Sequence, residues 1–120
     1  MITKEDVLRY AQERYGTLPE HPWAKYPSII VLRHGTSGEG KWYGLLLPVP
    51  PAKLGLPREA SVWVLNVKCE PALGDALRDG ETILPAYHMN KEHWISLVLD
   101  SAISANQVLD LLDMSYQLTR

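Results

Sequence analysis

Between His93 and Leu118 the hydrophobic period of the chain changes from two to helical, and this switch restricts the fold more than any other feature. Ile95, Leu97 and Leu99 fall on one side of an extended segment, while Trp94, Ser96 and Val98 fall on the other. After Asp100-Ser-Ala-Ile103, Ser104 and Gln107 have capping-box spacing. Val108, Leu111, Leu112, Ser115 and Leu118 then recur along one helical face, with Asp110 and Asp113 off it. A half-buried strand leading into an amphipathic helix is expected, and both need a further layer to cover their apolar sides.

The rest of the chain supplies that layer. Thr3 and Asp6 form another capping-box pattern, Val7, Leu8, Ala11 and Tyr15 repeat at helical spacing, and Gly16 ends the helix. Three prolines between Leu18 and Pro27 make a connector. Ser28 to His34 and Lys41 to Val49 read as a hairpin around the glycine-rich turn Gly35 to Gly40, with Pro48, Pro50 and Pro51 stopping its second strand. Ala60 to Lys68, rich in Val and Trp, is the strongest strand signal. Pro71 opens a short helix to Arg78, stopped by Gly80, and Ile83 to Met89 is extended but interrupted by Pro85. The order is helix, three strands, helix, one or two strands, helix. The expectation is a single α+β domain over residues 1–120, in two layers, with an antiparallel sheet and helices packed on one face.

Composition bounds the function. At 120 residues, 46% apolar and 22% charged, the chain has room for one core and is ordinary globular material. The lone Cys69 cannot form an internal disulfide, and Met1 to Asp6 opens with mixed charge instead of a basic stretch and an apolar run, so a cytoplasmic protein is expected. No apolar run approaches the ~20 residues of a membrane span. The net charge of −2 argues against indiscriminate nucleic-acid binding. Its distribution is uneven. Arg33, Lys41, Lys53, Arg58 and Lys68 face only Glu39 and Glu59 in their stretch, whereas eight acids face Arg78 and Lys91 between Glu70 and Asp113. This pattern gives either a basic and an acidic side or a scatter of solvated charges.

Catalytic and metal chemistry finds little support in the residues. His88 and His93, with His34 or Cys69, lack the spacing and the carboxylates of a metal set, so neither metal nor cofactor is expected. Cys69 has no local base, and Ser37, although flanked by glycine, lies in a hairpin turn instead of a strand-to-helix elbow. No catalytic residue is assigned and no enzyme is expected. Trp42, Tyr43, Trp63 and Trp94 all lie on strands. With no Phe in the chain, Trp and Tyr must fill large core positions, yet an outward ring beside Lys or Arg would make a surface for stacking bases or anchoring a partner.

Pro85-Ala-Tyr-His-Met-Asn-Lys-Glu-His-Trp94, then Leu97-Val-Leu-Asp100 and a helix carrying Ser115-Tyr116, resemble the C-terminal signature of the MmcQ/YjbR family. Upstream, Tyr15-Gly16, Pro19-Glu20, Trp23 at a Phe-like position, Arg33-His34, Lys41-Trp42 and Lys53-Leu-Gly-Leu56 follow the family in order, so the resemblance covers nearly the whole chain. Ser101 departs from it, standing where the family commonly has Gly. The resemblance implies an α+β fold akin to bacterial secretion chaperones and frataxin-like proteins. It also implies DNA binding through two projecting hairpin-like wings. Carried onto this chain, it places Arg33, His34, Lys41 and Trp42 around the first hairpin and His88, Asn90, Lys91 and His93 on the loop before the late strand. Lys and Arg would meet phosphates, and Asn and His would hydrogen-bond to phosphates or base edges. The expected partner is DNA, held with modest, salt-sensitive affinity. The alternative is a chaperone-like protein- or peptide-binding module in which the His88 to Trp94 run is structural.

Overall fold

The computed structural model describes residues 1–35 and 38–120. Helix α1, Lys4–Tyr15, begins where the Thr3 side chain and the Asp6 carboxylate bond reciprocally to each other's backbone N–H, and it ends on the left-handed Gly16. Four strands follow the chain order expected: β1 Ile30–Arg33, β2 Trp42–Val49, β3 Val62–Lys68 and β4 Ile83–Pro85. A 3₁₀ turn at Pro51–Leu54 follows β2, and helix α2, Pro71–Leu77, precedes β4. Strand β5, Trp94–Val98, and helix α3, Ala105–Leu118, complete the chain. At the start of α3 the Ser104 hydroxyl accepts from the Gln107 N–H. The tip between β1 and β2 includes Thr36 and Ser37, which lie outside the described residues, as does the reading of Ser37 as a nucleophile.

The five strands form one antiparallel sheet in the order β1-β2-β3-β5-β4. Pro48 lies within β2, opposite Trp63, instead of stopping it. It is tolerated there because β1 ends at Ile30 opposite Leu46, so nothing on that side needs the N–H that proline lacks. Ser101, at the position where the family commonly has Gly, keeps a negative φ and closes its turn with its hydroxyl, which donates to the Val98 carbonyl and accepts from the Ile103 N–H.

The chain is α+β, with its three α-helices on one face of the sheet. Their core takes Val7 and Ala11 from α1, Val108, Leu111 and Leu112 from α3, and Leu32, Leu46, Leu65, Ile95 and Leu97 from the strands. Gly44 lets α3 approach β2 closely, because a Cβ there would lie 3.0 Å from Leu32 and 3.5 Å from Leu112. The opposite face is buried as well. Val31, Leu45, Leu47, Val64, Leu84 and Val98 pack beneath Leu54 and Leu56 from the segment after β2 and beneath Tyr87 and Met89 from the loop after β4. Strand β5, flanked by β3 and β4, is therefore covered on both sides and is not the half-buried strand that its alternation suggests.

Candidate nucleic-acid interface

The side of the sheet without helices carries the candidate surface, and the loop between β4 and β5 shapes it. Asn90 turns this loop: its side-chain oxygen accepts from the Glu92 and His93 N–H groups at 2.8 and 3.0 Å, and its carbonyl accepts from Trp94. His88 is the one non-glycine residue with positive φ among those described, at 61°, and its ring lies 3.9 Å from that of Tyr87. Two fully buried polar side chains fasten the loop to the sheet. The Asn66 amide donates to the Tyr87 carbonyl, the Tyr87 N–H donates to Ser96 Oγ, both at 2.8 Å, and the Ser96 hydroxyl donates to Asn66. The polar interruptions of β3 and β5 thus satisfy each other and the loop above them.

At one end of this face Lys68 of β3 stands opposite Trp94 of β5, both half-buried. Arg33 of β1 stands opposite Trp42 of β2, and because Leu45 pairs with Asn66, Trp42 and Lys68 lie toward the same end of the sheet. Trp42 meets Trp23 edge-on at 5.6 Å between centroids. Arg33 contributes little free charge: its Nε donates to both Glu20 oxygens, at 3.0 and 3.2 Å, and an Nη donates to the Gly40 carbonyl. Lys41, beside Trp42, is exposed, as are His88, Asn90, Lys91 and His93. The face therefore gathers Arg33, Trp42 and Lys68, with the loop residues at its margin, whereas Lys41, next to Trp42 on the chain, lies close enough to His34 for its charge to act on that ring.

His34 does not join them. It turns to the helix side, where its ring packs 4.1 Å from Tyr116 and 5.2 Å from Tyr43, and Nε2 lies 2.7 Å from Thr119 Oγ1. The reason is a bulge. Leu32 pairs with Gly44 and Arg33 with Trp42, which leaves Tyr43 as an extra residue whose ring packs against Tyr15 of α1 and Tyr116 of α3. Ser115 completes the arrangement: its hydroxyl donates to the Tyr43 carbonyl at 2.6 Å and accepts from the Lys68 N–H at 2.8 Å. A serine on α3 thereby bridges β2 and β3 where their own ladder stops.

Charge use differs by residue type. Arg9, Arg14, Arg33, Arg58 and Arg78 each form an ion pair, whereas among the described residues Lys41, Lys53, Lys68 and Lys91 have no carboxylate within ion-pair distance. The structure keeps Arg33 on the face but pairs it with Glu20, and it adds Lys68, which the sequence shows only as one of a basic stretch. The available signal was strand parity, which puts Lys68 in step with Val62, Val64 and Asn66, but the facing Trp94 depends on register between distant segments. Burial pushes the Cys69 thiol up, away from the ready thiolate of a nucleophile. Among the described residues no three His, Cys, Asp or Glu side chains gather as a metal set.

Comparison with known proteins gives a consistent picture. A family model described as YjbR matches residues 12–118. A Bacillus subtilis protein named YyaQ is 48% identical over 120 residues, covering all of both chains. An Escherichia coli protein named YjbR is 35% identical over 54 residues, 44% of this chain and 46% of that one. A crystal structure of a Pseudomonas syringae protein superposes with a TM-score of 0.92 at 42% identity, covering 99% of this chain and 100% of the other. A Deinococcus radiodurans protein with a DUF419 domain superposes with a TM-score of 0.75 at 27% identity, over 98% of this chain and 78% of that one.

Proposed function

This chain belongs to the YjbR family, and on that premise we propose that it is a non-catalytic, cytoplasmic DNA-binding protein that receives nucleic acid on the helix-free face of its sheet. The observation that carries the reading is the pairing of Lys68 with the half-exposed Trp94 at the end of the face that also holds Trp42. Indole rings stack bases without regard to sequence, and lysines that are not committed to carboxylates exchange counterions for phosphates. Stacking needs unpaired bases, so single-stranded DNA is the preferred form. Lys68 and Lys91 together set a modest salt dependence, a slope of about −1.4 in log affinity against log salt for a single strand. The reading of a cytoplasmic location is supported by Cys69, a buried free thiol with no second cysteine in the sequence with which to form a disulfide.

Fluorescence anisotropy with a labelled oligothymidylate at low salt tests the proposal. Wild-type binding that weakens at least tenfold in Lys68→Glu/Lys91→Glu, with Arg33→Gln having a smaller effect, is the expected result. Absence of binding by the wild-type protein at low salt refutes it.

One observation favours a second reading, a peptide-binding module. An apolar groove between α2 and α3 is lined by Leu73, Ala76, Met114 and Leu118, and Met114 and Leu118 are exposed. The two readings use opposite faces. Met114→Glu leaves DNA binding intact under the first and abolishes partner binding under the second.

A further inference from the structure

The loop after β4 does more than cover the sheet. Where it meets the segment after β2, it encloses a cleft of about 370 Å³ lined by Lys53, His88 and Lys91 over a floor that includes Leu54, Leu84 and Tyr87. No Asp or Glu lines this cleft among the described residues, although the chain as a whole carries a net charge of −2. We propose that the cleft binds a small phosphomonoester with a flat or apolar body, of about mononucleotide size.

Three observations support this assignment. First, two exposed lysines from distant segments line one cleft with no carboxylate in its walls, and a bound dianion would attract both. Second, His88 holds a left-handed backbone, with φ of 61°, which residues other than glycine adopt uncommonly. Such outliers concentrate at ligand sites, and here the outlier is a residue of the cleft wall. Third, the floor is already organised. The Tyr87 backbone is fixed through its N–H and carbonyl to Ser96 and Asn66, both fully buried, and its half-buried ring lines the cleft with Leu54 and Leu84. The volume falls in the range of small-ligand sites, about 300–1,000 Å³. The cleft shares His88 and Lys91 with the proposed DNA surface, but Lys53 lies outside the end of the face marked by Lys68 and Trp94, so Lys53 is the residue that probes the cleft alone.

Amide chemical shifts report the test directly. Adenosine 5′-monophosphate is titrated into wild type and Lys53→Ala, with adenosine and inorganic phosphate as parallel arms. The expected result is saturable shifts confined to residues 53–54 and 86–91. Affinity should be at least tenfold weaker for adenosine, weaker for inorganic phosphate, and at least tenfold weaker in Lys53→Ala, whose exposed position leaves the fold unchanged. Oligonucleotide anisotropy of Lys53→Ala should match wild type, so failure at the cleft is distinguishable from failure of DNA binding. Equal shifts from adenosine and its monophosphate, undiminished affinity in Lys53→Ala, or no shift at these amides with millimolar ligand overturns the proposal.

Discussion

Both faces of the sheet have buried centres and buried polar bridges, Ser115 on one and Asn66 with Ser96 on the other, but they differ in the charges left at their rims. On the helix side, Ser115 joins two backbone groups, His34 meets Thr119, Tyr43 donates to Thr17, and the Tyr10 and Tyr15 hydroxyls both donate to Asp113, which also pairs with Arg14. On the other side the apolar centre is as dry, since Val31, Val64 and Val98 have no exposure, but the rim keeps lysines that are not paired with carboxylates. Burial therefore does not distinguish the candidate face. What distinguishes it is cationic charge on Lys68 and Lys91 that is not paired with a carboxylate, while Arg33 is paired with Glu20.

The strongest challenge to this comparison is a matched pair of core truncations. Leu112→Ala on the helix side and Leu47→Ala on the other side, both nearly unexposed, should each cost about 2–5 kcal/mol in denaturant unfolding. A cost for Leu47→Ala well below that range would mean that the loops form a loose cover instead of a second core. Next in size are the polar bridges. Ser115→Ala and Asn66→Ala each leave buried backbone groups without partners and should cost about 1–3 kcal/mol. Hydrogen exchange separates them: Asn66→Ala should release amides in residues 86–93, whereas Ser115→Ala should lower protection where β2, β3 and α3 meet.

The smallest expected effects are in the pH profile, and they belong to the helix side. Burial lowers the pKa of His34, outweighing its contact with Tyr116. The folded state therefore holds His34 neutral more strongly than the unfolded chain does. Its contribution to stability is full above the unfolded value of about 6.5 and is lost as pH falls through the lower folded value. Burial pushes the Tyr43 hydroxyl up to about 12. Its contribution is full below the unfolded value of about 10 and is lost as pH rises through about 12. Thermal melts across pH should show both losses. His34→Gln should flatten the acid limb, and Tyr43→Phe should flatten the alkaline one.

Much of the architecture was legible in local patterns. The Thr3 cap, the left-handed Gly16 and the face running from Val108 to Ser115 follow from rules that act within a few residues, and the structure keeps them. The alternation of β5 gives two faces, but the expectation of a half-buried strand fails at Ser96, which is fully buried. A serine in that register has the same local signature whether water or Asn66 receives its hydrogen bond. The candidate surface was legible only in part for the same reason. Lys41, Lys91 and Trp42 were visible as residue types, whereas the neutralisation of Arg33 by Glu20 and the turning of His34 toward Tyr116 depend on a connector and a bulge that no local pattern announces.

The amino-acid sequence by itself determined the order of elements, their caps and the family, because capping, turn chemistry and hydrophobic period are short-range properties. The tertiary structure alone decided that the second face would be covered by loops, that β5 would lie between β3 and β4, and that Lys68 would face Trp94. Those outcomes depend on register between strands about thirty residues apart, which is set by how buried side chains and unpaired backbone groups are jointly satisfied and not by any segment alone.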